Sequence, residues 1–111
     1  MPKLIISDIV KVPVKFEVND AGRKVTQSLM LVCDRLAQAE VDAIINDPAA
    51  NWSDTLRRVV TGWEGQRVVV EEDGAPSAFS AEALEVLMTI PGLSMLAVKA
   101  YAANVGATAK N

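Results

Sequence analysis

The sequence predicts an α+β fold, in which an N-terminal antiparallel β-hairpin or small sheet is followed by three or four short packed helices. Three observations support this class. Residues 9–18 alternate between apolar and polar side chains, which is the period of a half-buried strand. A turn and a second run rich in β-forming residues follow at residues 19–33. After residue 35 the apolar residues recur at helical spacing.

The predicted hairpin has one apolar face, formed by every second residue of its first strand. Pro13 lies on the polar side of this pattern, and because proline cannot donate to a β-ladder, it predicts an edge strand or a bulge. Residues 19–22 predict the turn, since Gly22 readily takes a positive φ. Val25 to Cys33 is predicted to be the returning strand, and Leu4 to Ile6 is either a further short strand or a lead-in.

The first two helices are predicted from apolar spacing. Helix one spans Leu36 to Ile45 and ends before Pro48, which disfavours helix in the residue preceding it. Its predicted apolar face consists of Val41, Ile44 and Ile45. Helix two is capped by Asn51 or Ser53. Its predicted apolar face consists of Trp52, Leu56, Val59 and Trp63, with Val60 alongside.

The second half of the chain is predicted to hold a short strand and two helices. Val68 to Val70 is an apolar run bounded by turn residues, which favours a strand. Ser80 is the predicted cap of the third helix, whose apolar side carries leucines at helical spacing. The last helix is predicted over Leu93 to Val105, between the helix-breaking pair at residues 91–92 and a C-terminal Gly106.

The chain is short, half apolar and mildly acidic. Its 111 residues fit one domain, residues 1–111, with a core that needs no disulfide or metal. The 11 basic and 14 acidic residues give a net charge of −3, so we expect no nucleic-acid partner. No apolar run is long enough for a membrane span or a signal peptide, so we expect a soluble cytoplasmic protein with no membrane partner.

The residue types argue against catalysis and against a metal centre. The absence of histidine removes the usual general base and the commonest metal ligand. Cys33 lies in an apolar strand and is expected to be a small buried residue rather than a nucleophile. The acids around Asp73 lack the spacing of a calcium loop and fit a solvated turn. We therefore expect no enzyme activity, no cofactor and no metal site.

The last helix is apolar on nearly every side, with Lys99 as its one charged residue. Two interpretations stay open: the helix is buried within the chain, or a partner covers part of it. Self-association through this helix is compatible with the second interpretation. The candidate partner-binding residues are Leu93, Met95, Leu96, Val98 and Tyr101.

Several short motifs follow one another along residues 30–106. They are Asp34-Arg35-Leu36 after the hairpin, a hydrophobic run ending in Gly62-Trp63-Glu64-Gly65, an Asp73-Gly74 turn, Pro76 and Phe79-Ser80 before a helix, Pro91-Gly92, and Ala100-Tyr101 in the last helix. In this order they resemble the small tail assembly chaperones that long-tailed bacteriophages and prophages encode.

This resemblance implies a binding protein of the host bacterial cytoplasm that is absent from the mature virion. Proteins of that family are thought to coat the long tape-measure protein, keep it soluble and help recruit tail-tube subunits. The alternative is a permanent structural tail component, such as a tail-terminator or head–tail joining protein, which would persist in purified particles. A small nucleic-acid accessory protein is disfavoured by the net charge of −3, and an enzyme is the most remote alternative.

Overall fold

The computed structural model describes residues 1–110, which form three strands and four helices. In chain order these are β1 (Ile9–Asp20), β2 (Arg23–Asp34), α1 (Gln38–Ile45), α2 (Trp52–Val59), β3 (Val60–Glu64), α3 (Ala81–Leu87) and α4 (Leu93–Val105). The strands make one antiparallel sheet in the order β1-β2-β3. The predicted α+β class is confirmed, and the sheet gains its third strand from between α2 and α3.

The β1–β2 hairpin is paired along the full length of both strands. Its two-residue loop has Ala21 at φ 53° and Gly22 at φ 92°, and two positive φ values are the turn geometry that matches the twist of the flanking strands. The Asn19 side chain accepts a hydrogen bond from the Gly22 N–H at 2.7 Å. β1 is an edge strand, as Pro13 predicted. Leu4 to Ile6 is not a strand and leads into β1.

The core lies between the sheet and the helices. α4 packs against β1, and α2 packs against α4. The alternating apolar residues of the hairpin face this core, and those that are buried are Val10, Val12, Val14, Phe16, Leu29, Leu31 and Cys33. The helices α2, α3 and α4 each bury apolar side chains in the same cluster, whereas α1 has no buried residue.

Side-chain caps fix the starts of two helices. The Asn51 carboxamide oxygen accepts from the Asp54 N–H at 3.1 Å at the start of α2. The Ser80 hydroxyl accepts from the Ala83 N–H at 3.0 Å at the start of α3. Both satisfy a backbone donor that the first helical turn leaves without a partner. The predicted bounds of α4 are confirmed.

Two predicted helices were wrong at one end. α1 begins at Gln38 rather than Leu36, and Ile45 is 52% exposed instead of lying on the apolar face. α2 stops at Val59, and the chain passes directly into β3, which contains Trp63. Two β-branched residues follow Val59 and favour extended backbone, and the glycine after them disfavours helix. Pairing with β2 then decides the outcome. Helical spacing of the apolar residues was coincidental beyond that point.

The strand predicted at Val68 to Val70 is not formed. Val70 makes an isolated bridge with Pro76, and no ladder extends from it. The Gln66 side-chain oxygen instead accepts from the backbone N–H groups of Val68 at 3.0 Å and Val69 at 2.8 Å. A buried side chain therefore supplies the acceptors that a neighbouring strand would have supplied.

Candidate functional site

The five residues predicted to bind a partner lie on different sides of α4. Leu93, Val98 and Tyr101 are buried within the chain itself, at 2% to 3% exposure. Met95 and Leu96 are 41% and 44% exposed. Of these five residues, Met95 and Leu96 are accessible to a partner in the folded chain, whereas the other three pack in the core of the same chain.

Tyr101 is held in the core by two hydrogen bonds from its hydroxyl group. The hydroxyl donates to the Asp34 carbonyl at 2.6 Å and accepts from the Leu36 N–H at 3.0 Å. Burial raises the pKa of Tyr101, and the hydrogen bond from Leu36 opposes part of that rise. The phenol thus fastens α4 to the segment that follows β2, and its aromatic ring contributes apolar area to the core.

Arg35 fastens the same segment to the C-terminal end of α4, one turn beyond Tyr101. Its guanidinium donates to the Val105 carbonyl at 2.7 Å and to the Ser7 carbonyl at 3.0 Å. A cation at a helix C-terminus satisfies a carbonyl that has no intrahelical partner and interacts favourably with the helix dipole. The Asp34-Arg35-Leu36 motif is therefore a structural anchor for α4.

The N-terminal end of α4 borders an open cleft that we call the α4 groove. It lies between the start of α2 and the turn that joins α3 to α4, and its volume is about 500 Å³. Its larger apolar lining residues are Trp52, Met88, Ile90, Pro91 and Met95, and Ala49 and Ala50 complete the apolar lining. The Ser53 and Ser94 hydroxyls are hydrogen-bonded at 3.0 Å and tie α2 to α4 beside it.

The α4 groove has a mixed lining, in which a cluster of apolar side chains lies among polar groups of α2 and α4. Trp52, Met88 and Ile90 are partly buried and pack against the core, so the groove is continuous with it. Two of the four methionines of the chain line the groove. Methionine is unbranched and polarizable, and such side chains adapt to apolar partners of differing shape. Sequence reasoning found Met95 but missed Trp52, Met88 and Ile90, which only the tertiary structure brings together.

The second tryptophan has a structural role. The Trp63 ring N–H donates to the Ser77 carbonyl at 3.1 Å, and its ring meets Phe79 edge-on at a centroid distance of 5.2 Å. The Gln66 amide donates to the same Ser77 carbonyl at 3.0 Å and to the Val69 carbonyl at 2.9 Å. The segment between β3 and α3 is thus organised around one buried glutamine that sequence reasoning did not single out.

The other residues considered for chemistry lie in two different settings, the core and an exposed turn. Cys33 is fully buried, as predicted, and burial together with the Asp34 carboxylate raises the pKa of its thiol to about 12. The acids before Gly74 lie in an exposed turn, where the Asp73 carboxylate accepts from the Ala75 N–H at 3.0 Å. Within residues 1–110, no three His, Cys, Asp or Glu side chains converge as metal ligands.

Two further findings concern the chain as a whole. Among the helices of residues 1–110, none has both the length and the apolar character needed to cross a membrane. No protein-family model matches the chain, and no curated protein and no solved structure matches it either.

Proposed function

We propose that this protein is a non-enzymatic tail assembly chaperone, which binds apolar helical segments of a phage tape-measure protein and helps recruit tail-tube subunits in the host cytoplasm. The observation that carries the proposal is the α4 groove, a cleft lined in part by Trp52, Met88 and the exposed Met95 of α4. A long tape-measure helix has apolar stripes that are unprotected until the tail tube encloses it, and helix-in-groove binding covers such a stripe.

The size of the exposed apolar area argues for weak, repeated binding. Complete burial of a leucine or methionine side chain stabilises a complex by roughly 1.5–3 kcal/mol. Less than half of Met95 and of Leu96 is accessible, so each contributes about 1 kcal/mol when a partner covers it. One chaperone therefore binds weakly, and many copies along one long helix give a stable, reversible coat.

The acidic surface supports the same function. Glu64, at the end of β3, is paired with Lys11, whereas four exposed acids from there to the first turn of α3 form no ion pair within residues 1–110: Glu71, Glu72, Asp73 and Glu82. Like charges on the outside of a coat keep it soluble and disfavour association between coated complexes.

Co-expression with the tape-measure protein of the same gene cluster tests the proposal. We expect the tape-measure protein to become soluble and to co-purify with this chain. Met95→Glu is expected to abolish both effects, because it places a charge in the apolar contact. Val86→Glu is the matched control, since Val86 is an exposed apolar residue (55%) on α3 outside the α4 groove.

The outcome also separates the proposed function from the structural alternative. If the tape-measure protein stays insoluble while this chain purifies alone, the chaperone proposal is wrong. Detection of the chain in purified particles would then favour a permanent tail component. Equal loss of binding in both glutamate variants would show that the α4 groove is not the contact site.

A further inference from the structure

A second open cleft adjoins the α4 groove and has a different chemical character. It lies between α1 and α2, with a volume of about 590 Å³. Ala49, Ala50 and Asn51 line both clefts, so the two clefts adjoin along this segment, and we call them together the trough. Four alanines line this second cleft, and small side chains leave room for a bulky chain to lie in it.

The charges of this cleft are unevenly neutralised. Glu40 forms an ion pair with Arg58 across the cleft, and Asp54 pairs with Arg57, which it shares with Glu85 outside the cleft. The Asp47 carboxylate accepts only the Ala49 N–H, at 2.8 Å, and no cation within residues 1–110 lies within ion-pair distance of it. One negative charge on the cleft is thus left without a counter-charge.

The end of α1 adds to this negative potential. Asp47 directly follows the C-terminal cap of α1, where the helix dipole places partial negative charge. The last turn of α1 contains no basic residue to offset it. A carboxylate at a helix C-terminus is repelled by the partial negative charge of the helix dipole. A cation from outside the chain would therefore neutralise the Asp47 charge and also offset its repulsion from the end of α1.

We infer that the trough binds an amphipathic helix that carries a lysine or arginine beside its apolar stripe, with the apolar side chains in the α4 groove and the cation against Asp47. The inference rests on the proposed function, because it uses the same groove, and it adds the charge and the direction of the partner helix. Apolar contact supplies affinity, and the charge at one end sets the orientation.

Two synthetic helical peptides of about 18 residues test the inference. Both peptides carry the same stripe of leucines. They differ at one end of the stripe, where one peptide has two lysines and the other has two glutamates. Fluorescence anisotropy at low salt is expected to show the lysine peptide binding about fivefold more tightly. Raising the salt concentration to about 0.3 M should reduce this preference, since an exposed ion pair is screened.

Asp47→Asn and Asp73→Asn form a matched pair for this experiment. Each aspartate is exposed and accepts the N–H of the residue two positions later, and asparagine keeps that acceptor while it removes the charge. We expect Asp47→Asn to remove the preference for lysine and Asp73→Asn to retain it. Loss of the preference in both variants would assign the effect to net charge and overturn the inference.

The peptides also distinguish failure of the inference from failure of the proposed function. If both peptides bind equally and Met95→Glu weakens both, the α4 groove is a helix-binding site, but the proposed recognition of a cation by Asp47 is wrong. If neither peptide binds, the trough is not a helix-binding site, and the inference and the groove on which the proposed function rests fail together.

Discussion

The inner and outer faces of α4 both carry large apolar side chains, but their surroundings are opposite. The inner face, with Leu93, Val98 and Tyr101, is buried against the rest of the chain and anchored at Asp34 and Leu36. The outer face, with Met95 and Leu96, is more than two-fifths exposed. An apolar helix in a short chain can thus serve the core with one face and leave the other free for a partner.

This difference explains why the spacing of apolar residues could not distinguish the core-packing face of α4 from the exposed face. Both faces of α4 contain leucine and other apolar residues, so the sequence marks the helix without marking its inside. Which face of α4 points to the core is determined by non-local hydrogen bonds. Tyr101 donates to the Asp34 carbonyl at the end of β2, and Arg35 donates to the Val105 carbonyl at the end of α4. Variants on each face are therefore expected to differ in kind, with loss of folding on one side and loss of binding on the other.

The largest expected effect comes from Tyr101→Asp. A carboxylate in place of the buried ring removes core packing and leaves a charge without a counter-charge, which costs about 4 kcal/mol or more. Since small domains are stable by only about 5–15 kcal/mol, we expect the variant to be largely unfolded by circular dichroism and urea titration. If the variant folds and has lost only binding, Tyr101 lies on the outer face of α4, and the assignment of the two faces is wrong.

We expect an intermediate loss of folding stability at alkaline pH, caused by ionisation of the buried Cys33 thiol and Tyr101 phenol. Burial raises the pKa of Cys33 from 9.0 to about 12 and also raises the pKa of Tyr101. Above pH 9 the unfolded chain therefore loses the thiol proton that the folded chain retains, and stability that is fully present below pH 9 is lost as the pH rises toward 12. Each such group lowers the free energy of unfolding by about 1.4 kcal/mol per pH unit.

Urea unfolding at about pH 8 and about pH 10.5 measures this loss. Cys33→Ala removes the thiol and is expected to show a shallower decline of the free energy of unfolding between the two pH values. An identical decline in both proteins would show that Cys33 titrates alike in the folded and unfolded chains, in conflict with its burial.

The smallest effect on stability is expected from Leu96→Gln on the outer face. Leu96 is already 44% exposed, so a polar replacement of similar length should change the free energy of unfolding by less than about 0.5 kcal/mol. Its effect should appear in binding to the tape-measure protein instead. A loss of several kcal/mol in urea unfolding would mean that Leu96 belongs to the core and that the outer face is not free.

The sequence was sufficient for elements defined by local signals. The hairpin followed from strict alternation and a turn, and α4 followed from breakers at both of its ends. The continuation of α2 through Trp63 was wrong because pairing of β3 with β2 outweighs the local helical spacing. The strand at Val68 to Val70 was wrong because the Gln66 side chain, rather than a ladder, satisfies that backbone.

The candidate site was predicted only in part, for a physical reason. Met95 and Leu96 could be proposed from the scarcity of charge on α4. Trp52 and Met88 could not, because their contribution to the α4 groove depends on how α2 meets the turn between α3 and α4. That meeting is a property of tertiary packing, and no spacing along the chain encodes it.

The chain offers a direct measurement of the central claim that the α4 groove receives the partner helix. Its methionines are Met1, Met30, Met88 and Met95, so a methyl-labelled sample gives few and separable NMR signals. On addition of a helical segment of the tape-measure protein, we expect the Met88 and Met95 methyl signals to shift. Met30 lies on β2, away from the groove, and should keep its position. Shifts at Met30 with none at Met88 and Met95 would contradict the account and move the contact to the sheet.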